Sequence, residues 1–491
     1  MNTSAPYIAA NKFGLGLCAG ELPKVATNPK SWLRDQLDAV TVIPEQFAAI
    51  DSSAHYLEQN YKVLMERRQQ QQARQSAGAT TSGQANISSP TQPRPTKELL
   101  RAVRDIRSAQ AQQFTARLRS AITTETPFAE RLVRFWSNHF TVANKKINMR
   151  ALCVPYENEA IRPHLNGHFE DLVMAAEQHP AMLIYLDNIQ SIGANSPVGK
   201  RRDRGLNENL AREILELHTL GVDGGYSQRD VTALAKIITG WTVGRPAATT
   251  SRDPTARGYQ RYAAPVPGAF AFAPLLHEPG AQQLLGKRYN DQGVAQGEQA
   301  LLDLARHPST ATFIATKLVR HFVADQPPSA AVKKIAAVFS ASRGHLPTVH
   351  KALLDLDEAW DSQYKKLKTP EELVVSSMRA LAPTLVLKSA DASLIGALNR
   401  SLQALNHQPF SATSPAGWPD NAEHWGSPNA LLQRIEWANQ IAQRWASSQP
   451  APELLQNILP ADPILKQAVS RAESNAQALA LVFASPNFQW R

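Results

Sequence analysis

Apolar side chains recur three and four residues apart in one segment after another along this chain, whereas the alternating pattern of a half-buried strand is scarce. One such segment runs from Lys97 to Ile122 and contains strong helix formers but neither glycine nor proline. The next begins at Thr126 and Pro127, which suit the cap and the first position of a helix. We therefore predict an all-α fold: a large, bundle-like body of many helices in a single domain, with a few short strands or hairpins at most.

The composition changes abruptly between Ser76 and Pro95, where the residues are small, polar and rich in proline and glycine. Such a stretch buries too little apolar surface to offset the entropy lost when a chain is ordered. We predict an N-terminal helical segment at 1–65 that packs on the main body, a flexible low-complexity insert at 66–97, and a main helical domain at 98–491. Within this domain the stretch at 244–280 is rich in proline and glycine, and we expect a small hairpin or an ordered irregular loop there.

Composition narrows the class of protein without selecting a function. The net charge of +10 is modest for 491 residues, and the basic run KRRDR at 200–204 is typical of a solvated surface, so nucleic acid is not an expected partner. Cys18 and Cys153 lie far apart in the sequence and predict neither a disulfide framework nor a thiolate metal site. Neither the pattern of a secretory signal nor an apolar run of about 20 residues is found. We predict a cytoplasmic protein without a membrane span, and export together with a partner stays open.

The stretch NENLAREILELHTLGVDGGYSQ, from Asn207 to Gln228, concentrates charged residues on one predicted helix. At about 100° per residue, Arg212, Glu213 and Glu216 fall on one side of this helix, while His218 points away from Glu213. A metal site or an acid/base centre then needs His139 or another helix to complete it. Under this hypothesis the catalytic candidates are His139, Arg212, Glu213 and Glu216, and the ligands of a divalent metal are His139, Glu213, Glu216 and His218.

The same stretch also has a purely structural interpretation. Arg212 is four residues from both Glu208 and Glu216, and pairs at this spacing stabilise a helix by a few tenths of a kcal/mol when exposed. Gly221 suits the left-handed conformation that ends a helix, and Ser227 with Asp230 resembles a capping box that begins the next one. We favour this interpretation over the metal or acid/base site.

Two further motifs place polar and aromatic side chains together. In FWSNHF, Trp136, Asn138 and His139 are neighbours within a strongly apolar helix, where a buried polar group needs a hydrogen-bond partner. A histidine satisfied within the core is the more ordinary interpretation of His139, although its imidazole also suits proton transfer. The loop PAGWPDNAEHWGSPN combines indoles with charged residues, which is typical of carbohydrate and cation pockets. The more ordinary interpretation is that the two indoles close the core beneath an irregular loop. Our candidates for the wall of a site are Trp136, Asn138, Trp418, His424 and Trp425.

Several segments together resemble a large bacterial family catalogued as domain of unknown function 1800. They are ANKFGLG, ERLVRFWSNHFTV, HPAMLIYLDN, the central NENLAREILELHTLGVDGGYSQRDVTALAKIITGW, HPSTATFIATKLVRHFV, PAGWPDNAEHW and FASPNFQWR, in this order along nearly the whole chain. The resemblance implies a predominantly helical protein, and no reaction is securely attached to the family. It also implies that the position of Ser137 is often histidine, so this chain lacks one potential metal ligand.

The resemblance further implies a partner. Genes of the family are commonly found beside those of a second uncharacterised family, domain of unknown function 1501, whose members resemble alkaline phosphatases or sulfatases. We therefore predict an accessory or interaction protein that acts with a partner encoded nearby. The alternative hypothesis is a metal-dependent or acid/base enzyme with a carboxylate–histidine site between helices.

Overall fold

The computed structural model describes residues 5–61, 63, 97–201, 205–244, 267–363, 365–381 and 392–491. The predicted insert at 66–97 lies outside these residues except for Lys97, and so do residues 245–266 of the irregular stretch at 244–280. Helices make up most of the described chain, and its strands are short. This confirms the predicted all-α class.

The first half of the chain contains ten α-helices among the described residues, besides a helical stretch at 53–61. They are α1 (Ala5–Ile8), α2 (Leu22–Thr27), α3 (Pro29–Arg34), α4 (Lys97–Thr123), α5 (Pro127–His139), α6 (Cys153–Tyr156), α7 (Phe169–Gln178), α8 (Pro180–Tyr185), α9 (Asn209–Glu213) and α10 (Gln228–Ile237).

Further α-helices follow the strands in the second half. They are α11 (Val294–Ala305), α12 (Pro308–Phe322), α13 (Ser329–Ala341), α14 (Leu346–Leu354), α15 (Asp357–Trp360), α16 (Pro370–Leu381), α17 (Ala392–Ala404), α18 (Ala422–Trp425), α19 (Pro428–Trp445), α20 (Ala451–Ile458), α21 (Pro463–Ser470), α22 (Asn475–Ala484) and α23 (Pro486–Gln489). Short 3₁₀ turns occupy Leu37–Ala39, Glu45–Phe47, Ile147–Met149, Arg162–His164, Asn188–Gln190, Gly199–Arg201 and Pro274–Leu276.

Three α-helices widen into π-helical segments at their C-terminal ends. Ala9–Phe13 continues α1, Glu157–Ile161 continues α6, and Ile214–His218 continues α9. A π-segment is rare and often lies at a functional site, because its i→i+5 hydrogen bonds displace the side chains that follow. The projection at 100° per residue therefore does not apply to the central motif beyond Glu213.

The strands form two antiparallel pairs. β1 (Trp241–Val243) pairs with β2 (Phe270–Phe272), so that Trp241 lies opposite Phe272. β3 (Gln282–Leu284) pairs with β4 (Lys287–Tyr289) across the two-residue turn of Leu285 and Gly286, whose φ angles are 49° and 77°. Positive φ at both central residues is the signature of a tight hairpin turn. Of these four strands only β2 lies within the stretch at 244–280, so the hairpin or irregular loop expected there stays a prediction.

Local signals in the sequence determine several helix ends. Gly221 has a φ of 86°, and the side chains of Ser227 and Asp230 form the predicted capping box at the start of α10. Two histidines that precede prolines cap helices: His179 accepts a hydrogen bond from the N–H of Ala181, and His307 from that of Ser309, both at 3.1 Å. These helices therefore begin where a side-chain acceptor satisfies an otherwise unpaired backbone donor.

Most of the buried apolar residues form one cluster that extends from Ala9 to Phe488, and Phe47, Phe114, Ala116 and Val154 form a small second cluster. Phe13 connects the N-terminal segment to this core, since its ring lies 5.9 Å from that of Phe128, 5.8 Å from that of Phe322 and 5.4 Å from that of Trp360. Among the described helices, none combines the length and the apolar character needed to span a bilayer.

Candidate functional site

A cavity of about 330 Å³ opens between α5, α12, the start of α16 and the loop that precedes α18. Its wall combines charged and aromatic side chains. The cationic residues are Arg117, Arg131, Arg134, Lys317 and Arg320, the histidines are His139, His321 and His407, the carboxylates are Glu371, Glu372 and Asp420, and the aromatic residues include Phe135, Phe313, Phe410 and Trp418. Sites for small ligands combine an apolar and aromatic lining with a few convergent polar groups, and this wall contains both kinds of residue.

Helix α5 supplies one wall of the cavity. Arg134 and Phe135 follow Arg131 by three and four residues, so they lie on the same side of the helix as Arg131. Arg131 is almost fully buried, and its Nη1 donates to the carbonyl oxygen of Gly14 at 2.6 Å, just after the first π-segment. The N-terminal segment thus fixes the orientation of a cavity arginine.

The carboxylates of Glu371 and Glu372 lie in the first turn of α16, where the helix dipole favours negative charge. The N–H of Thr369 donates to Glu372 Oε2 at 2.8 Å, and the N–H of Glu372 donates to Thr369 Oγ1 at 3.3 Å. This reciprocal pairing is a capping box, which holds Glu372 at the helix start.

Arginines from two helices neutralise these carboxylates. Glu371 Oε1 accepts from Arg117 Nη1 at 2.6 Å and from Arg134 Nη1 at 2.5 Å, while Arg131 and Arg491 pair with Glu372. Burial by itself raises the pKa of both carboxylic acids, but the nearby arginines have the larger effect. They lower the pKa of Glu372 to about 2 and that of Glu371 far below its ordinary value. Both side chains are therefore anions at neutral pH.

His321 and Asp420 form the third polar contact of the cavity. His321 Nδ1 donates to Asp420 Oδ2 at 2.6 Å, and the opposite ring nitrogen accepts from Arg131 Nε at 3.3 Å. Burial lowers the pKa of His321 to about 4 despite the nearby carboxylate. Burial favours the neutral acid at Asp420, but His321 and Lys366 hold its pKa well below the ordinary value. At neutral pH we therefore take this contact as a neutral imidazole bonded to a carboxylate.

Two cations of the cavity lack such partners. Lys317 and Arg320 lie one turn apart on α12, and neither makes a hydrogen bond or an ion pair with any residue that the structure describes. The ammonium of Lys317 lies 5.6 Å from the centroid of the Phe313 ring. Lys317 is half-buried, and burial lowers its pKa to about 8. The cavity therefore retains uncompensated positive charge.

Comparison with known families agrees with the motifs. The sequence profile of a family described as protein of unknown function (DUF1800) matches residues 8–490. The chain belongs to this family. The comparisons found no similar curated protein and no similar solved structure. The description of the family names no activity.

Of the residues predicted from FWSNHF, this DUF1800 protein places Asn138 and His139 on the cavity wall. The side chain of Asn138 exchanges two hydrogen bonds with the backbone of Trp418, at 3.0 and 2.8 Å. His139 Nε2 donates to the carbonyl oxygen of His218 at 3.1 Å, which leaves Nδ1 as an acceptor without a partner among the described residues. Trp136 is fully buried away from the cavity and donates to His350 Nε2 at 3.3 Å.

The charged residues of the central motif lie elsewhere. Arg212 pairs with Glu216 at 3.3 Å and with Glu208 at 3.4 Å, as the structural interpretation predicts, and neither Glu213 nor Glu216 lines the cavity. His218 is fully buried with its Nδ1 2.7 Å from Glu177 Oε1, a contact that lacks the alignment of a hydrogen bond. Among the described residues no three His, Cys, Asp or Glu side chains are grouped to hold a metal ion. The metal ligand set of His139, Glu213, Glu216 and His218 stays a prediction.

The three residues predicted as a wall from the sequence around α18 lie in three different environments. Trp418 lines the cavity. Trp425 is buried behind it, with its ring centroid 5.8 Å from that of Trp418 and 4.7 Å from that of His407. His424 is exposed and does not line the cavity.

Most of the charged cavity residues were not singled out from the sequence. The arginines of α4 and α5 look like the polar residues of ordinary amphipathic helices, and so does Lys317 on α12. One usable signal was present: the sequence TPEE at 369–372 has the form of a capping box, and its carboxylates face three arginines that are distant in sequence. The sequence around Asp420 combines indoles with charged residues, but it does not indicate a partner for this carboxylate.

Proposed function

We propose that this protein binds a small organic anion in the charged cavity. The observation that carries the proposal is the pair Lys317 and Arg320, two neighbouring cations on the cavity wall without a described hydrogen-bond or ion-pair partner. Arg117, Arg131 and Arg134 are each paired with carboxylates, which leaves Lys317 and Arg320 as the cations of the wall that an anion can engage. Arginine forks and a lysine suit carboxylate, phosphate or sulfate groups.

The aromatic residues of the same wall bear on the kind of anion. The aromatic rings of Phe313 and Phe410 favour a ligand with an apolar part beside its charge.

Thermal unfolding in the presence of matched ligands tests the proposal. We expect small carboxylates or phosphate esters to raise the melting temperature more than their neutral amides or alcohols do, and this effect should weaken with added salt. The double variant Lys317→Gln/Arg320→Gln should lose the effect. The matched control is Lys333→Gln/Lys334→Gln on α13, where both lysines are exposed. Equal stabilisation by neutral ligands, or an unchanged response of the double variant, would contradict the proposal.

The accessory role with a partner of the domain of unknown function 1501 family is a separate proposal, supported by the family resemblance. Its test is co-purification of the protein with the product of the neighbouring gene. Failure to capture that product under several extraction conditions would count against this role.

The carboxylate–histidine enzyme is also a separate proposal. The contact of His321 with Asp420 in the cavity supports its acid/base version. Elemental analysis of the purified protein and of the variants His139→Ala and Glu213→Ala tests the metal version. Stoichiometric metal that both folded variants lose would support it, and metal-free folded protein would remove it.

A further inference from the structure

Lys317 is the only lysine among the described residues of the cavity wall, and its amine is unlike the other buried amines of this protein. Lys366 Nζ contacts Asp325 at 2.5 Å and Asp420 at 3.2 Å, and Lys368 Nζ donates to Ser376 Oγ at 3.1 Å. Lys12 Nζ donates to the carbonyl oxygen of Ala359 at 3.2 Å. These three amines are engaged within the protein, whereas that of Lys317 has no acceptor among the described residues.

The surroundings of Lys317 increase the fraction of its amine that is neutral. Burial lowers its pKa to about 8, Asp420 raises it in part, and Arg320 lowers it further. An exposed lysine has a pKa near 10.4, so at pH 8 its neutral fraction is roughly a hundredfold smaller than that of an amine with a pKa near 8. A lysine with a lowered pKa at the wall of a cavity is the usual nucleophile for a carbonyl compound.

We propose that Lys317 forms a reversible Schiff base with the carbonyl carbon of the bound anion, whose chemical class is therefore a 2-oxo acid. This inference rests on the proposed anion site. Arg320, one turn along α12, binds the carboxylate that neighbours the carbonyl, since side chains three residues apart on a helix are neighbours.

The reaction is balanced without an oxidant or a reductant. The lone pair of neutral Lys317 Nζ attacks the carbonyl carbon, and the π electrons move to the oxygen. A proton passes from nitrogen to oxygen to give a carbinolamine. The oxygen then takes a second proton from solvent and leaves as water, and the nitrogen lone pair forms the C=N bond of a protonated Schiff base. Addition of water reverses these steps and releases the 2-oxo acid.

Reductive trapping tests the inference in the full-length protein. The protein is incubated with glyoxylate at pH 8, sodium borohydride reduces any Schiff base to a stable secondary amine, and mass spectrometry locates the adduct. We expect Lys317 to be labelled roughly tenfold or more above any exposed lysine, because its neutral fraction is larger. Lys317→Arg should abolish this labelling while keeping the charge, and Lys334→Arg on α13 should leave it unchanged.

Two controls separate this inference from the anion site itself. Propanal, which lacks the carboxylate, should label Lys317 much less than glyoxylate does, and equal labelling would overturn the 2-oxo acid class. Glyoxylate without borohydride should also raise the melting temperature. Stabilisation without an adduct at Lys317 would overturn the Schiff base but leave the anion site intact, whereas no stabilisation and no adduct would contradict both. Uniform labelling of surface lysines would likewise overturn the inference.

Discussion

His321 Nδ1 lies 2.6 Å from Asp420 Oδ2, and this hydrogen bond joins helix α12 to the loop that carries Trp418. The same carboxylate lies 3.2 Å from Lys366 Nζ, and Lys366 also donates to the backbone oxygen of Asp420 at 2.6 Å. Asp420 therefore connects two separate segments to the cavity wall. The contacts of its side chain with His321 and with Lys366 both depend on its negative charge.

Replacing Asp420 by asparagine should destabilise the protein. Lys366 is 1% exposed and would keep only Asp325 as a carboxylate partner. Removing one member of a buried ion pair costs about 3 kcal/mol, which urea unfolding can measure. The control is Asp355→Asn, because Asp355 and its partner Arg34 are 46% and 43% exposed, and this change should cost less than about 1 kcal/mol. Similar losses in the two variants would contradict the structural role of Asp420.

Acid should remove the stability that Glu372 contributes. Its pKa is about 2 in the folded protein and near 4.5 in an unfolded chain, because Arg131 and Arg491 favour the anion against the effect of burial. The unfolded chain therefore takes up the proton first as the pH falls. The contribution is complete above pH 4.5 and is lost between pH 4.5 and 2.

Urea unfolding at several pH values checks this prediction. Glu372→Gln should be less stable at pH 7, and its free energy of unfolding should fall less steeply between pH 4.5 and 2. The exposed Glu453→Gln should keep the profile of the unaltered protein. A Glu372→Gln profile parallel to that of the unaltered protein would show that this carboxylate does not contribute.

Gly417 should not tolerate a side chain. Its φ is 82°, and a Cβ atom there would lie 2.4 Å from the carbonyl oxygen of Asn138 and 2.7 Å from Thr141 Oγ1. Gly417→Ala should therefore combine backbone strain with a clash and cost about 3 kcal/mol. Gly280→Ala is the control, since its φ is 94° but no atom lies within 4 Å of the added Cβ, and strain alone costs about 1 kcal/mol. The two melting temperatures distinguish the effects, and equal decreases would contradict the predicted clash.

The charges of the central motif should matter much less. The Arg212 side chain is 37% exposed, and its partners Glu208 and Glu216 are 30% and 26% exposed. Solvent screens such pairs, so Arg212→Ala should cost less than about 1 kcal/mol in urea unfolding. A loss of stability above about 2 kcal/mol would show that these ion pairs behave like the buried ion pairs around Glu371.

The sequence predicts those features that depend on neighbouring residues. Three such features involve residues only a few positions apart, and the structure contains all three. They are the capping box of Ser227 and Asp230, the turn at Gly221 and the ion pairs of Arg212. The spacing alone specifies these contacts, because local backbone geometry is nearly the same wherever such residues occur.

The cavity depends on contacts that no local pattern specifies. Arg131 forms an ion pair with Glu372, which lies 241 residues later in the sequence. Amphipathic spacing does not indicate which arginine will pair with which carboxylate. The π-segment at Ile214–His218 also escapes prediction, because it changes the direction of His218 without a distinctive residue. Asn138 was recognised as a polar group in an apolar helix, but its partner Trp418 lies 280 residues later.

The position of Glu372 has a consequence for synthesis of the chain. Glu372 pairs with Arg131, which emerges from the ribosome 241 residues earlier, and with Arg491, which emerges 119 residues later. At about 5–20 residues per second, at least roughly ten seconds pass between the synthesis of Arg131 and that of Glu372. A nascent or truncated chain thus contains a guanidinium that is costly to bury, so the cavity assembles late, and fragments of this protein should not display its ligand chemistry.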